Sequence, residues 1–449
     1  MRADPSWAPS QPLVVGLGLA NEAVVRQLRR RGAPVTVVDD RPTPAVRATA
    51  AELGIDLIEA PDDEELERLV NGADVVLPGP GVPYRHVAIR SALKAGVALW
   101  SELELAARWD DRPVAAVTGT NGKTTVTLLV TRMLEAAGRH AAVAGNNDLP
   151  LVDALDTDAE IFVVEASSFR LQFVETFRPV VAAWLNLADD HLDWHPDLDH
   201  YIAAKANIWA FQTETDLAIG NEDDAVVMRE LDKAPGQRTT FGRDTGAWRV
   251  NGASLLGPDG HAFARIADLP RHLPHDLANA LAATATAVAV GVDLETCAAV
   301  LAGFTGFPHR VQLVGEAAGV RWYDDSKATT PASVVAAASG FESVVLIAGG
   351  RNKGLDFSSL AALAGRVHAV VAIGDSAEEV AGVFARCEDV EVRTAGSMEE
   401  AVKAAADAAR AGDAVLLSPG GASYDWYRNY GERGDDFARL VDKLIERGR

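Results

Sequence analysis

The sequence predicts an α/β fold of three domains. The first and last are Rossmann-like, over residues 1–108 and 307–449, and the middle one, over 109–306, is a largely parallel sheet with a small antiparallel addition. Three observations predict it. Short apolar runs of strand length alternate with helical patterns along the chain, the signature of parallel sheets. Polar or glycine-rich turns follow those runs at their carboxyl ends, where open α/β sheets place ligands. Two proline-bearing polar stretches, WDDRP at 109–113 and TGFPHR at 305–310, read as a linker and a second boundary. A length of 449 residues also exceeds one ordinary core and suggests about three domains.

Composition narrows the function. Apolar residues make up 48% and charged residues 24%, the balance of a soluble globular protein. No run approaches the roughly 18 apolar residues of a membrane helix, and the N-terminus lacks an apolar signal core. Cys297 and Cys387 stand far apart and form no metal or redox spacing. The expected compartment is the reducing cytoplasm, with no membrane partner. A net charge of −22 argues against nucleic acid, whose phosphates require clustered Lys and Arg. Anionic small molecules need local cations here.

The run PLVVGLG at 12–18 is a strand entering a glycine turn, followed by a helical pattern over about 22–31 and a strand at 34–38 that ends in Asp39-Asp40-Arg41. In this opening βαβ, Asn21 stands where the dinucleotide fingerprint requires its third glycine. A structural turn, or the phosphates of a different nucleotide, is therefore preferred to NAD or FAD. A strand at 73–77 runs into the rigid loop PGPGVP at 78–83.

The central domain opens on VAAVTGTNGKTTV at 114–126: a buried strand, a glycine turn, then Lys123-Thr124-Thr125 at the start of a long helix. Free backbone N–H groups at a helix start attract anions. Lys123 adds a positive charge, and the Thr124 hydroxyl is placed for phosphate-bound Mg²⁺. The reading is a P-loop ATPase-like triphosphate site, although only Thr120 and Asn121 separate Gly119 from Gly122, fewer than the four residues of a Walker A loop. Further strands at 161–165 and 180–186 end at Glu165 and in LADDH at 187–191. Glu165 in an apolar strand needs a partner: either a metal or a structural ion pair. His191 is a candidate metal ligand by its place after a strand. Lys205, on an amphipathic helix, reads on its own as a snorkelling surface lysine. Turn pairs Asn251-Gly252 and Asp259-Gly260 within 239–266 predict antiparallel strands, and an Ala-rich helix at 275–291 carries Asn279.

The last domain has predicted strands at 321–323, 343–347, 367–373, 390–393 and 414–417, with polar ends DDSKATT at 324–330, GGRNK at 349–353 and SPGGASY at 418–424. No short-period repeat exists, which excludes solenoids.

Taken together, TGTNGKTT at 118–125, EASSF at 165–169, residues 186–191, Tyr201 with Lys205, His309-Arg310, DSKAT at 325–329 and SPGGAS at 418–423 resemble the Mur ligases, within them the D-glutamate-adding type, over essentially the whole chain. The resemblance implies ATP-dependent amide formation between UDP-N-acetylmuramoyl-L-alanine and D-glutamate through an acyl phosphate, by a monomer in cytoplasmic peptidoglycan synthesis. It implies that Gly119, Thr120, Asn121, Gly122, Lys123, Thr124 and Thr125 hold ATP together with Asn279 and Arg310. Two Mg²⁺ sites would draw on Thr124, Glu165, His191 and Lys205, the last as a carbamate, so that Lys123, Glu165, His191 and Lys205 are the catalytic set. Gly18, Leu19, Asp40, Arg41, Gly79, Pro80, Gly81 and Asn146 would serve the UDP substrate, and Lys327, Thr329, Lys353, Ser423, Tyr424 and Tyr430 the amino acid.

The chain departs from that pattern at several positions. Ala20-Asn21 stands for Thr/Ser-Gly, and Gly145-Asn146-Asn147-Asp148 for Gly-Asn-Ile-Gly. Ala166 replaces Leu, while Tyr424 and Tyr430 replace apolar and Phe positions. L-glutamate, or another Mur or folylpolyglutamate-type substrate, is the alternative within the same chemistry. A dinucleotide-dependent oxidoreductase leaves Lys123 unexplained, and a non-catalytic nucleotide switch is the remaining class.

Overall fold

The computed structural model describes residues 3–146, 149–191, 194–352 and 354–447. The predicted Lys353, Asn147 and Asp148 lie outside the described residues. The chain divides into two compact units, Met1–Leu269 with Ala278–Gly303 and Pro270–Leu277 with Phe304–Arg449. The first unit carries two sheets and the second carries one.

The N-terminal sheet contains β1 (Pro12–Val15), β2 (Thr36–Asp39), β3 (Leu57–Glu59), β4 (Val75–Pro78) and β5 (Ala98–Leu99), in the order β3-β2-β1-β4-β5. All its pairings are parallel. Its two central strands, PLVV and VVLP, are buried throughout, as expected where helices cover both faces. The first helix spans Leu19–Arg30 and begins at Gly18, earlier than the expected 22, because Ala20 and Asn21 already belong to its buried stripe. Glu22 in its first turn and Arg29-Arg30 in its last suit the helix dipole.

The central sheet contains β6 (Val114–Thr118), β7 (Ala141–Gly145), β8 (Ile161–Glu165), β9 (Val181–Trp184), β10 (Leu217–Asn221), β11 (Gln237–Gly242), β12 (Trp248–Asn251), β13 (Ser254–Leu256) and β14 (Ala262–Arg265). Its order is β14-β13-β12-β11-β10-β9-β6-β8-β7. The expected antiparallel addition is smaller than 239–266. β11 pairs parallel with β10 and β12 parallel with β11, and only β12, β13 and β14 are antiparallel. The hairpin sits at Asn251-Ala253, where Gly252 has φ 57°, the left-handed geometry that tight turns require.

In the second unit, β15 (Gln312–Ala317), β16 (Val320–Asp324), β17 (Val344–Gly349), β18 (Val367–Ile373), β19 (Glu391–Ala395) and β20 (Ala414–Gly420) form a sheet ordered β15-β16-β20-β17-β18-β19. β15 was not expected from sequence. It is a half-exposed edge strand, antiparallel to β16 across Ala318-Gly319, whose φ values are 52° and 77°.

The stretch expected as a linker at 109–113 is packed. Trp109 is buried, and the Arg112 guanidinium donates to the carbonyls of Leu155, Thr157 and Ala159 at 2.7–2.9 Å. Just before it, helix Glu102–Trp109 presents the fully buried Glu104 to the loop after β8. Its Oε2 accepts from the backbone N–H of Glu175, Thr176 and Phe177 at 2.8, 2.7 and 3.2 Å, and its Oε1 from the Thr176 hydroxyl and Arg108 Nε at 2.6 and 2.8 Å. Replacing Glu104 with alanine strands those donors in a dry joint. We expect a loss of about 3–5 kcal/mol in the denaturant-induced transition of the first unit. A change below about 1 kcal/mol would mean that water takes over the donors.

Candidate active site

The phosphate-loop sequence folds as expected at the carboxyl end of β6. The helix Lys123–Ala136 starts from Gly122, whose φ is 87°, and Gly119 has φ 150°. Neither glycine tolerates a side chain. A Cβ at Gly122 would lie 2.5 Å from Asn279 Oδ1, and one at Gly119 would lie 3.0 Å from Leu185 Cβ. The loop is thus closely packed around its backbone, with the helix N–H groups of Lys123, Thr124 and Thr125 at its mouth, a cradle suited to phosphate oxygens. Asn279 lies against that cradle.

Other residues fix the loop from behind. Asn186, after β9, accepts from Asn121 N through Oδ1 at 2.9 Å, donates to Asn121 O at 3.1 Å and accepts from Thr120 N through its carbonyl at 3.1 Å. The Thr120 hydroxyl, predicted to serve ATP, is used internally: it donates to Ala188 O at 3.1 Å and accepts from Ala188 N at 3.0 Å, with Tyr201 OH 3.1 Å away. Asn186 and Tyr201 belong to the motifs that carry the resemblance, which implies no site role for either. Both are visible in sequence only as polar residues after an apolar strand and one helical turn before Lys205.

Lys205 differs most from its reading as an isolated residue. It is buried, and its Nζ donates to Gly119 O at 2.9 Å while lying 4.5 Å from the Tyr201 ring centre. Lys123 Nζ donates to the same carbonyl at 2.9 Å and to Thr120 O at 3.0 Å. Two amines therefore converge on one oxygen. Burial, then the nearby Lys123, hold the Lys205 pKa well below its ordinary 10.5, with Asp190 opposing.

Glu165 ends β8, in register with Val117 of β6, and is buried. Its Oε1 accepts from Asn146 Nδ2 at 3.2 Å. His191 has φ 58°; its Nε2 lies 3.3 Å from Asp190 Oδ2, and its ring packs edge-on against Phe169 at 4.7 Å and Tyr201 at 6.2 Å. Beside it, His195 Nε2 lies 2.9 Å from Ser168 Oγ, and burial, then His191, push its pKa down to about 4. Among the described residues no group of three or more His, Cys, Asp or Glu could by itself hold a metal ion. Mg²⁺ is held by one or two carboxylates together with waters and substrate phosphates, and of the predicted donors Thr124, Glu165, His191 and Lys205 only Glu165 is a carboxylate.

At the switch point of the N-terminal sheet, between β1 and β4, Asn21 Nδ2 donates to the carbonyls of Val15, Gly16 and Leu77 at 3.1, 2.8 and 3.2 Å. Its amide is spent on tying the two strand ends together. Gly18 and the exposed Leu19 open the helix beside it, and Gly79, Pro80 and Gly81 follow β4. Asp39 accepts from the N–H of Leu17 and Arg41, at 2.9 and 3.0 Å. Asp40 Oδ2 lies 2.8 Å from His86 Nε2. Because His86 Nδ1 accepts from Ala88 N, the proton between them resides on Nε2.

In the second unit, Lys327 Nζ lies 3.8 Å from the Tyr430 ring centre, and His309 meets the same ring edge-on at 6.1 Å. Ser423 is buried, Tyr424 is 58% exposed, and Thr329 and Arg310 are half-buried. Asp325, which opens the DSKAT run, is buried and accepts from Ser418 Oγ at 2.7 Å; burial pushes its pKa up to about 7 against that hydrogen bond.

Family models match the chain in order: Mur ligase MurD-like, N-terminal domain, at 10–101; Mur ligase middle domain at 117–287; and Mur ligase, glutamate ligase domain, at 309–421. A UDP-N-acetylmuramoylalanine–D-glutamate ligase of Frankia casuarinae is 44% identical, over 97% of this chain and 94% of that one. A protein of the same name from Desulfosudis oleivorans is 40% identical, over 97% and 96%. The MurF ligase of Thermotoga maritima in complex with ADP shares the fold at TM-score 0.57 and 17% identity, over 100% of this chain and 98% of that one.

The depressed Lys205 pKa sets a pH dependence. Between the folded value and 10.5, the unfolded chain takes up a proton that the folded chain does not. Stability therefore rises as pH increases through that window, by up to about 1.4 kcal/mol per pH unit for one proton. In CO₂-free buffer, Lys205→Met should flatten this slope on the alkaline side, as pH approaches 10.5 from below, in unfolding titrations. An unchanged slope would mean that the amine stays protonated in the fold.

Proposed function

Because the chain belongs to the Mur ligase family, we propose that it joins the alanyl carboxylate of UDP-N-acetylmuramoyl-L-alanine to the amine of D-glutamate, converting ATP to ADP and phosphate. The observation that carries this reading is the closely packed glycine loop with Lys123 and Lys205 on one carbonyl, in a chain that aligns nearly end to end with relatives named for that reaction.

A carboxylate is a poor acyl donor at neutral pH and must first be activated. Its oxygen attacks the γ-phosphorus, ADP departs, and an acyl phosphate forms. The glutamate amine then attacks the carbonyl carbon. The tetrahedral intermediate collapses by expelling phosphate, and the amine loses its proton. Lys123 and the helix N–H groups would neutralise the phosphoryl oxygens as charge shifts. Thr124, Glu165, His191 and a carbamylated Lys205 would hold Mg²⁺, which supplies further neutralisation of the triphosphate when bound. The low Lys205 pKa favours the neutral amine that can take up CO₂, and the resulting carbamate anion removes the conflict between two amines. Asn279 and Arg310 would serve the nucleotide. Lys327, Thr329, Ser423 and Lys353 would serve the glutamate carboxylates, and Gly18, Leu19, Asp40, Arg41 and 79–81 the UDP group. We read the protein as a cytoplasmic monomer.

A coupled assay tests the reaction: ADP release should require both UDP-N-acetylmuramoyl-L-alanine and D-glutamate, with L-glutamate a poor replacement. Glutamate-independent ATP turnover would sink the assignment. The carbamate has its own test. Protein equilibrated with ¹³C-bicarbonate should show a carbamate carbonyl resonance that Lys205→Arg lacks, and its absence from the wild-type protein removes Lys205 from the Mg²⁺ donors.

A further inference from the structure

Behind Glu165 lies a polar relay that runs from the exposed Asn146 to the buried Arg170 and Glu102, two residues given no role in the proposed reaction. Asn146 N donates to Glu165 O at 2.8 Å, and its side-chain Nδ2 donates to Glu165 Oε1 at 3.2 Å. This closure depends on Gly145, where a Cβ would lie 2.4 Å from Glu165 O. The other end of the Asn146 amide, Oδ1, accepts from Arg170 Nη1 at 2.9 Å. Arg170 in turn pairs through Nε with Glu102 Oε1 at 3.0 Å, the two side chains being 7% and 2% exposed. Glu102 Oε2 accepts from Val152 N at 3.2 Å.

The chemistry of this relay runs in one direction. An asparagine side chain has one donor end and one acceptor end, and a guanidinium only donates. Arg170 therefore fixes Oδ1 toward itself and leaves Nδ2 facing the carboxylate. A buried ion pair is a weak source of stability, because an apolar pair of similar volume often packs as well. The charges at Glu102 and Arg170 call for another reason, and directional control of Asn146 supplies one. Glu102 also begins the helix that follows the N-terminal sheet, so that domain reaches the proposed metal donor through three side chains.

We propose that Arg170, anchored by Glu102, is a positioning residue that orients Asn146 and through it holds the Glu165 carboxylate for Mg²⁺·nucleotide. This rests on the reading of Glu165 as a Mg²⁺ donor. Removing hydrogen-bonded supports of a metal ligand typically weakens metal affinity about 10- to 100-fold.

The test is calorimetric titration of ADP over a range of Mg²⁺ concentrations. It compares the wild-type chain with Arg170→Met, the apolar pair Glu102→Leu/Arg170→Met, Asn146→Ala and Glu165→Ala. The expected result is a rise of about tenfold or more in the Mg²⁺ needed for tight ADP binding in the Arg170, paired and Asn146 variants, with Mg²⁺-free ADP affinity unchanged. The apolar pair avoids a stranded buried carboxylate. Asn146 is exposed, so its variant reports even if the buried ones fail to fold. Wild-type Mg²⁺ dependence in Asn146→Ala, or in a folded apolar pair, overturns the proposal while Glu165→Ala still weakens binding. An unchanged Glu165→Ala instead overturns the reading of Glu165 itself.

Discussion

The Gly119 carbonyl, approached by both Lys123 and Lys205, is the constraint on which the first unit's chemistry depends. Two charged amines within reach of one oxygen would repel each other, and burial, then Lys123, hold the Lys205 pKa down accordingly. The sequence around them fits that cost. Gly119 and Gly122 let the backbone come close, Asn186 and Thr120 lock the loop from behind, and Tyr201 turns its ring to Lys205. An anionic ligand at the helix mouth would offset the positive charge that Lys123 brings there.

The three sheets place their strand ends in the same relation to chemistry. In the N-terminal sheet the order reverses between β1 and β4, in the central sheet between β9 and β6, and in the second unit between β20 and β17. Each reversal opens a crevice at the carboxyl edge, and the glycine turns at 16–18, 119–122 and 349–350 lie there. What differs is how each crevice is filled. Asn21 closes the backbone of the first, while amines line the second.

Much of this was legible in the residues. The glycine loop, its lysine and the strand-end carboxylate each carry a local pattern, so their positions followed from sequence. Lys205 did not, because helical spacing is the same for a surface lysine as for one pressed against a loop 86 positions away; its burial is set by tertiary packing. The family motifs corrected that reading where periodicity could not. β15 escaped because QLVGEA has neither a clean alternation nor a buried face. Arg170 and Glu102 escaped for a different reason: their roles exist only as a chain of contacts across segments 102, 146 and 170, and no single segment displays it.

Glu104 bears on what counts as a domain in this chain. A boundary near 109 is natural in sequence, yet Glu104 collects hydrogen bonds from 175–177, and Phe173 and Trp194 complete an apolar cluster with Leu13, Val15 and Val38. Residues 1–108 therefore do not own their core. Cut free, that segment would present a dry, apolar face and a glutamate stripped of its donors from 175–177, with only Arg108 left to it, a surface prone to sticking rather than an independent module. Recombination among relatives would have to exchange the first two sheets as one inherited piece, with substitutions at 104 and 176 changing together.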